Sequence, residues 1–189
     1  PDWGHRSTLL KGQTYMIAET CEYKRHFLDY RPESILLTSV ELDHTDFFKD
    51  LDDIIQAFIE YGLLLPKGGR FFYCLDDSGA AFVARTLRER RPDLLFTSYG
   101  KSPGSDYQIV DVSVKDLKTS FRIKGLSPLF TLRVPGEHSI LNATAALAVS
   151  LDICRLEGLH EGRLAERLSV ALASFQGSKR RCEVIGRAR

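Results

Sequence analysis

The sequence lacks the features that mark secreted, membrane-spanning or zinc-ribbon proteins. It has few cysteines, and they are widely spaced and form no CxxC pair: Cys21, Cys74, Cys154 and Cys182. This spacing argues against a zinc or disulfide framework and favours a reducing compartment. We see no signal peptide and no apolar run that approaches membrane-spanning length. We therefore expect a cytoplasmic protein with no membrane partner.

Charge of one sign and phosphate-binding loops are missing as well. Lys and Arg number 26 against 25 Asp and Glu, so nothing predicts a nucleic-acid partner. Neither GxxxxGK[ST] nor GxGxxG after a strand occurs, so any phosphate cradle lies outside these residues. The 189 residues suit a single α/β domain. Because the chain opens at Pro1 and stops at Arg189 after a strand-like run, we expect a fragment of a larger protein.

What is present is an alternation of apolar strands and amphipathic helices. Strands are predicted at residues 15–18, 35–40, 70–75 and 94–97. One helix is predicted from Asp46 to about residue 65, and its apolar face is formed by Phe47, Leu51, Ile54, Ile55, Phe58, Ile59 and Leu63. A second helix is predicted at 80–90, with Phe82, Val83 and Leu87 facing inward. This order predicts an α/β fold with a mainly parallel sheet flanked by helices.

The second half of the chain changes pattern. Residues 107–134 alternate apolar and polar side chains, which predicts a small antiparallel β element at about 105–135. The helical period then returns in a stripe from Ile140 to Cys154, and a second helix is predicted at 161–175. A last strand is predicted at 182–185.

Residues 35–46 carry the first candidate site. A buried parallel strand ends there in polar residues, where open α/β sheets bind their ligands. Candidate ligands of a divalent ion follow two predicted strands that could be neighbours: Glu19, Glu22, Asp43 and His44. His44 is an atypical ligand for magnesium and suits manganese or zinc better. Alternatively, Asp43 and Asp46 cap the next helix and His44 is a loop histidine.

Two further places have residues suited to a nucleotide. His138 and Asn142 lie four apart at the start of a helix and can hydrogen-bond a flat polar ring, although a plain helix start capped by Glu137 or Ser139 is equally compatible. Residues 177–181 end in three cations, Lys179, Arg180 and Arg181. Arginine suits phosphate oxygens, and a solvated basic loop is the alternative interpretation.

In order along the chain, these motifs resemble the central domain of the Mur ligases. They are AETCEYKRHFL at 18–28, Glu41-Leu42-Asp43-His44, VPGEH at 134–138 with Leu141-Asn142-Ala143, and FQG at 175–177 continuing to Arg180-Arg181. The resemblance runs over nearly all of residues 15–186. It implies a P-loop-like ATPase fold whose phosphate loop and UDP-binding domain precede residue 1. An amino-acid-binding domain is expected after Arg189.

The resemblance also implies roles and a reaction. Glu19 and His44 match magnesium ligands, His138 and Asn142 match residues that hold adenine, and Arg181 matches an arginine that reaches the nucleotide phosphates. The implied reaction is ATP-dependent amide formation through an acyl phosphate. In the alanine-adding branch, which this chain resembles most, the substrates are UDP-N-acetylmuramic acid and L-alanine.

The chain departs from the family pattern at several positions. Ser39 and Ser139 stand where asparagine is usual, and Cys182 stands where an aromatic is common. Other branches carry a modified lysine after the DH pair, and Gln56, Ala57 and Phe58 occupy that region here, in agreement with the alanine-adding branch. Two alternatives remain: a ligase that recycles the murein tripeptide, and a degenerate, non-catalytic nucleotide-binding domain.

Overall fold

The chain forms a six-stranded sheet with helices on both faces. The computed structural model describes residues 14–115, 118–159, 161–175 and 177. The strands are β1 (Ser34–Leu37), β2 (Arg70–Cys74), β3 (Leu95–Gly100), β4 (Tyr107–Lys115), β5 (Lys118–Ile123) and β6 (Phe130–Leu132). The helices are a 3₁₀ segment (Tyr23–Asp29), α1 (Leu51–Leu63), α2 (Ser78–Arg90), α3 (Glu137–Leu156) and α4 (Glu161–Ser174).

The strands lie in the sheet in the order in which they occur in the sequence. β1, β2, β3 and β4 pair in parallel, and β4, β5 and β6 pair antiparallel. The two parts meet through a short contact in which Tyr99 pairs with Tyr107 and Gly100 with Gln108. The predicted mainly parallel sheet with a small antiparallel element is therefore confirmed.

The central strand β2 shows how the core is divided between the two faces. Phe71 and Tyr73 point into a cluster with α1, α2 and the 3₁₀ segment, whereas Phe72 and Cys74 point into a cluster with α3. Burial on both faces gives β2 its continuous apolar run. As a result, the carboxyl ends of β1 to β3 lie at one edge of the sheet between two layers of helices.

The predicted strand at 15–18 is wrong. Residues 14–22 form no strand, and Met16 and Ile17 are 64% and 79% exposed. A buried strand needs a neighbour for its backbone hydrogen bonds, and in the described residues β1 pairs only with β2. The segment instead runs from the end of α3 to the turn after β1. Tyr15 donates a hydrogen bond to Glu157, directly after α3, and Glu22 lies beside His44.

Helix α1 begins later than Asp46, contrary to the sequence prediction. The chain first makes a turn in which the N–H groups of Phe47 and Phe48 donate to the His44 carbonyl. Asp50 is the N-cap, and its carboxylate accepts from the N–H of Asp53 at 2.9 Å. The side chains assigned to the apolar face at its ends are more than a third exposed: Phe47, Leu51 and Leu63.

Two further expectations need correction: the inward position of Phe82, and the absence of an apolar stretch long enough to span a membrane. Phe82 of α2 is 42% exposed, and the Arg85 guanidinium lies 5.1 Å from its ring, so Phe82 does not face inward, whereas Val83 and Leu87 are buried as predicted. Helix α3, with 20 residues and a mean hydropathy of 1.4, is long and apolar enough to cross a membrane by length and composition. A core helix passes the same test. The predicted stripe from Ile140 to Cys154 is buried in the core as far as Leu151, and Cys154 is partly exposed.

The revised start of α1 predicts unequal effects for two aspartates. Asp50→Ala removes the side-chain cap and should lower the free energy of unfolding by about 0.5–2 kcal/mol. Asp46→Ala, the matched control, removes only the exposed hydrogen bond from Tyr23 and should cost less than about 0.5 kcal/mol. Urea unfolding followed by circular dichroism measures both. A larger loss for Asp46→Ala would contradict the assignment of Asp50 as the cap.

Candidate functional site

The turn after β1 presents the imidazole of His44. His44 has a left-handed backbone conformation with φ of 52°, which is uncommon for residues other than glycine. The carboxylate of Asp43 accepts from the His44 N–H at 2.6 Å, and the His44 carbonyl accepts from Phe47 and Phe48. These bonds engage both backbone groups of His44. Asp43 thus supports the turn as a backbone acceptor.

The 3₁₀ segment packs against this turn through Tyr23. The rings of Tyr23 and His44 are 4.6 Å apart between centroids, with their planes tilted by 36°. The Tyr23 hydroxyl donates to Asp46 at 2.8 Å. That hydrogen bond is the largest cause of a raised pKa for Tyr23, because ionisation would break it beside a carboxylate. Asp46 is therefore a partner of Tyr23, and it does not cap α1.

Contacts with α1 fix the position of the 3₁₀ segment. Arg25 forms ion pairs with Asp53, at 2.8 Å, and with Glu60. Phe27 is buried, with its ring 5.4 Å from that of Phe58 and 4.6 Å from that of Tyr61. The residues that precede the segment are thereby held next to the His44 turn.

Three potential metal ligands meet at this place. His44 Nε2 lies 3.5 Å from Glu22 Oε1, and Cys21 completes a group whose ligand atoms all lie within 4.8 Å of one another. Glu22 and His44 are partly buried and Cys21 is exposed. Of the predicted candidates, the structure brings together Glu22 and His44. Glu19 is exposed and lies outside this group, so its pairing with His44 as a metal ligand stays a prediction.

Two carboxylates after β2 organise the same edge of the sheet. Asp77 accepts from Ala80 N–H at 2.7 Å as the cap of α2 and from Val40 N–H at 3.1 Å. Asp76 accepts from the backbone N–H groups of Lys101 and Ser102 at 2.7 and 2.8 Å. The loops that follow β1 and β3 are therefore both tied to the end of β2.

The start of α3 lies at this edge too. Lys101, directly after β3, is 2.5 Å from Glu137 in the first turn of α3. His138 and Asn142 are both exposed there. Gly136 is the N-cap with φ of 106°, and a Cβ at this position would come within 2.7 Å of the His138 ring. Neither Glu137 nor Ser139 caps the helix, since Ser139 donates to the Pro135 carbonyl instead.

The predicted phosphate contact and the predicted last strand both fall near the end of the chain. Arg181, its neighbours Lys179 and Arg180, and residues 182–185 lie outside the described residues. Gly177 is described, with φ of 90°. The role given to Arg181 by resemblance stays a prediction.

The site contains one candidate ligand that the sequence pattern did not single out. Cys21 lies beside Glu22 in sequence, but none of the four cysteines belongs to a CxxC pair, which is the spacing that indicates a metal site. Proximity of Cys21 to Glu22 was a usable signal, whereas its proximity to His44 depends on the docked 3₁₀ segment. A thiol, a carboxylate and an imidazole together can bind a divalent metal ion.

The fold and the site define an α/β domain with three potential metal ligands and a helix start at the carboxyl edge of its sheet. Residues 5–150 match the model of the Mur ligase middle domain. The chain belongs to the Mur ligase family.

Three comparisons describe its relatives. A UDP-N-acetylmuramate–L-alanine ligase of Treponema pallidum (strain Nichols) is 43% identical over 96% of this chain and 38% of its own length. The enzyme with the same name from Desulfitobacterium hafniense (strain Y51) is 35% identical over 91% of this chain and 36% of its own. A crystal structure of MurF from Acinetobacter baumannii has a TM-score of 0.67 at 22% identity, over 86% of this chain and 33% of that chain, and shows the shared fold.

The double role of Asp77 predicts a large effect of its loss. Asp77→Ala removes a helix cap and leaves the part-buried Val40 N–H without its acceptor, so the free energy of unfolding should fall by about 1–3 kcal/mol. Asp77→Asn keeps an acceptor oxygen and should recover most of that loss. Urea unfolding compares the two. Equal destabilisation by both variants would mean that the charge, and not the two hydrogen bonds, is what matters.

Asp76 predicts a pH dependence of stability. Burial opposes ionisation of this carboxyl, but the hydrogen bonds from Lys101 and Ser102 outweigh burial and lower its pKa below 3.8. The folded state thus favours the ionised form. The contribution is present above the unfolded pKa and is lost as the pH falls through the lower folded pKa.

Unfolding free energies measured from pH 5 down to pH 2, about the range in which carboxyls titrate, should fall more steeply for the wild type than for Asp76→Asn. Asp29→Asn, at an exposed aspartate, is the matched control and should leave the wild-type slope unchanged. Parallel curves for wild type and Asp76→Asn would contradict the assignment.

Proposed function

We propose that the chain is the central, ATP-binding domain of a longer ligase that joins L-alanine to UDP-N-acetylmuramic acid. The observation that carries the proposal is 43% identity, over 96% of the chain, to a relative named UDP-N-acetylmuramate–L-alanine ligase. Because the chain spans 38% of that relative, further domains would bind the other substrates. This function belongs to peptidoglycan precursor synthesis and places the protein in the cytoplasm.

The metal-binding part of the proposal rests on His44 and its acidic neighbours. Mg²⁺ prefers oxygen ligands, needs only one or two carboxylates and keeps its other positions for water and phosphate oxygens. The carboxylate of Glu19 or Glu22 fits that requirement, His44 would add an atypical nitrogen ligand, and the Cys21 thiol does not fit. When bound, Mg²⁺ would neutralise the phosphate charge during phosphoryl transfer. The role of His44 is to hold one coordination position in a fixed direction from the turn after β1.

The nucleotide-binding part rests on the start of α3. The exposed imidazole of His138 and the amide of Asn142 offer donors and acceptors for an adenine ring at one end of the carboxyl edge. Lys101 and Glu137 tie this helix start to β3, which gives the ring a fixed platform. Arg181 is proposed to reach the nucleotide phosphates from beyond α4.

Alanine addition is preferred to the two alternatives. The two ligases of Treponema pallidum and Desulfitobacterium hafniense compared above share the alanine-ligase name, which favours alanine over the murein tripeptide. Retention of His44, His138 and Asn142 at the carboxyl edge favours an active enzyme over a degenerate domain. Ser39 stands where asparagine is usual in the family. It is exposed and precedes Val40, whose backbone N–H donates to Asp77.

The test is ADP release by the full-length protein, supplied with ATP, Mg²⁺ and UDP-N-acetylmuramic acid. L-Alanine should give rapid turnover and the tripeptide little. Turnover with the tripeptide alone would assign the recycling reaction, and no turnover with either acceptor by folded protein would assign a degenerate domain.

The metal role predicts the effect of one histidine. His44→Ala should lower kcat by about 10²-fold or more, because charge stabilisation at the phosphates is lost. His26→Ala is the matched control, since His26 is exposed on the 3₁₀ segment that packs against the His44 turn and lies outside the metal-ligand group. Equal activity of the two variants in the ADP-release assay would remove His44 from the mechanism.

A further inference from the structure

We infer that Cys21, Glu22 and His44 form a binding site for Zn²⁺ or a similarly thiophilic divalent ion. The site goes beyond the proposed function and does not rest on it, because it requires neither ATP nor an acceptor. Its basis is the convergence of a thiol, a carboxylate and an imidazole within 4.8 Å. These three donor types are the ones that bind Zn²⁺ in proteins.

The distances fit a tetrahedral metal centre with little movement. Zn²⁺ binds nitrogen and oxygen at about 2.0–2.2 Å and sulfur at about 2.3 Å, so neighbouring ligand atoms lie about 3.4–3.6 Å apart. His44 Nε2 and Glu22 Oε1 are already 3.5 Å apart. The 4.8 Å limit means that Cys21 Sγ must approach by about 1.4 Å at most, which rotation of an exposed side chain can supply.

The backbone around all three ligands is held in place before any metal binds. The Cys21 carbonyl accepts from Phe27 N–H at 3.2 Å, and the Glu22 carbonyl accepts from Arg25 N–H at 2.7 Å. The ring of Tyr23 packs on the imidazole of His44. Preorganised ligands lose less entropy on binding, so the group is more than a chance meeting of flexible side chains.

The donor set discriminates between metals. A thiolate is a soft ligand that suits Zn²⁺, whereas Mg²⁺ prefers oxygen, so Cys21 selects against magnesium. Three protein ligands also leave a fourth tetrahedral position open to water or another oxygen ligand. His44 cannot serve two ions at once. A bound Zn²⁺ would therefore exclude Mg²⁺ from His44.

Cobalt substitution provides a direct test of the sulfur ligand. Co²⁺ added to the purified protein, with a non-thiol reductant and no nucleotide, should produce tetrahedral d–d absorption and a thiolate-to-cobalt charge-transfer band. Zn²⁺ should displace Co²⁺ and abolish both. Cys21→Ser should remove the charge-transfer band, and Cys154→Ser, the matched control outside the described metal-ligand group, should retain it.

Zinc affinity, measured by competition with a chromogenic chelator, tests the same assignment without cobalt. Cys21→Ser should weaken Zn²⁺ binding by more than the roughly 10–100-fold that loss of an outer-shell partner costs, and His44→Ala should do so too. Circular dichroism confirms folding of each variant.

Saturable binding of one Zn²⁺ that depends on Cys21 supports the site. An unchanged charge-transfer band in Cys21→Ser, equal zinc affinity of Cys21→Ser and wild type, or no saturable binding would each overturn it. Because these measurements need no ATP or acceptor, their failure is distinct from failure of the ligase assay.

Discussion

The carboxylate of Asp77 is the interaction on which the rest of the site depends. A single oxygen accepts from Ala80 N–H at the start of α2 and from Val40 N–H after β1. Gly79 allows this approach, because a Cβ there would meet the Val40 Cβ at 2.7 Å. The chain leaving β1 is therefore clamped to the helix that follows β2. The turn that presents His44 starts four residues after Val40. The two hydrogen bonds of Asp77 therefore help to fix the position of this turn.

The sequence predicted those elements whose signal is local or doubly buried. β2 was predicted within one residue because both its faces are covered and every side chain from Phe71 to Cys74 is apolar. The stretch at 15–18 has a similar local composition but pairs with no strand in the described residues, because pairing depends on a neighbour that composition does not reveal. The apolar spacing that begins at Phe47 predicts a start of α1 at Asp46, but Asp50 is an equally preferred cap by residue type. The turn at His44, which precedes Asp50 along the chain, decides between them.

The candidate site also contains parts that the sequence predicts and parts that only the fold brings together. Residues on one continuous stretch, such as Glu137 to Asn142 at the start of α3, could be grouped from spacing alone. The group of Cys21, Glu22 and His44 joins two segments, and it forms because Phe27 and Arg25 dock the 3₁₀ segment on α1. The sequence pattern predicted that Glu22 and His44 meet at the ends of adjacent strands. They do meet, but through helix docking and not through strand pairing.

A family role and a local donor set make different demands at His44. Phosphoryl transfer calls for a hard ion that keeps most of its positions for water and phosphate, and the family resemblance places Glu19 in that role. The folded chain instead puts Glu22 and Cys21 beside the imidazole, which is a softer set. For divalent ions of the first transition row, imidazole and thiolate ligands raise affinity well above that for Mg²⁺. Under the proposed zinc site, the ion bound at His44 would depend on whether the Cys21 thiol coordinates, so one exposed side chain would set the metal preference of the turn.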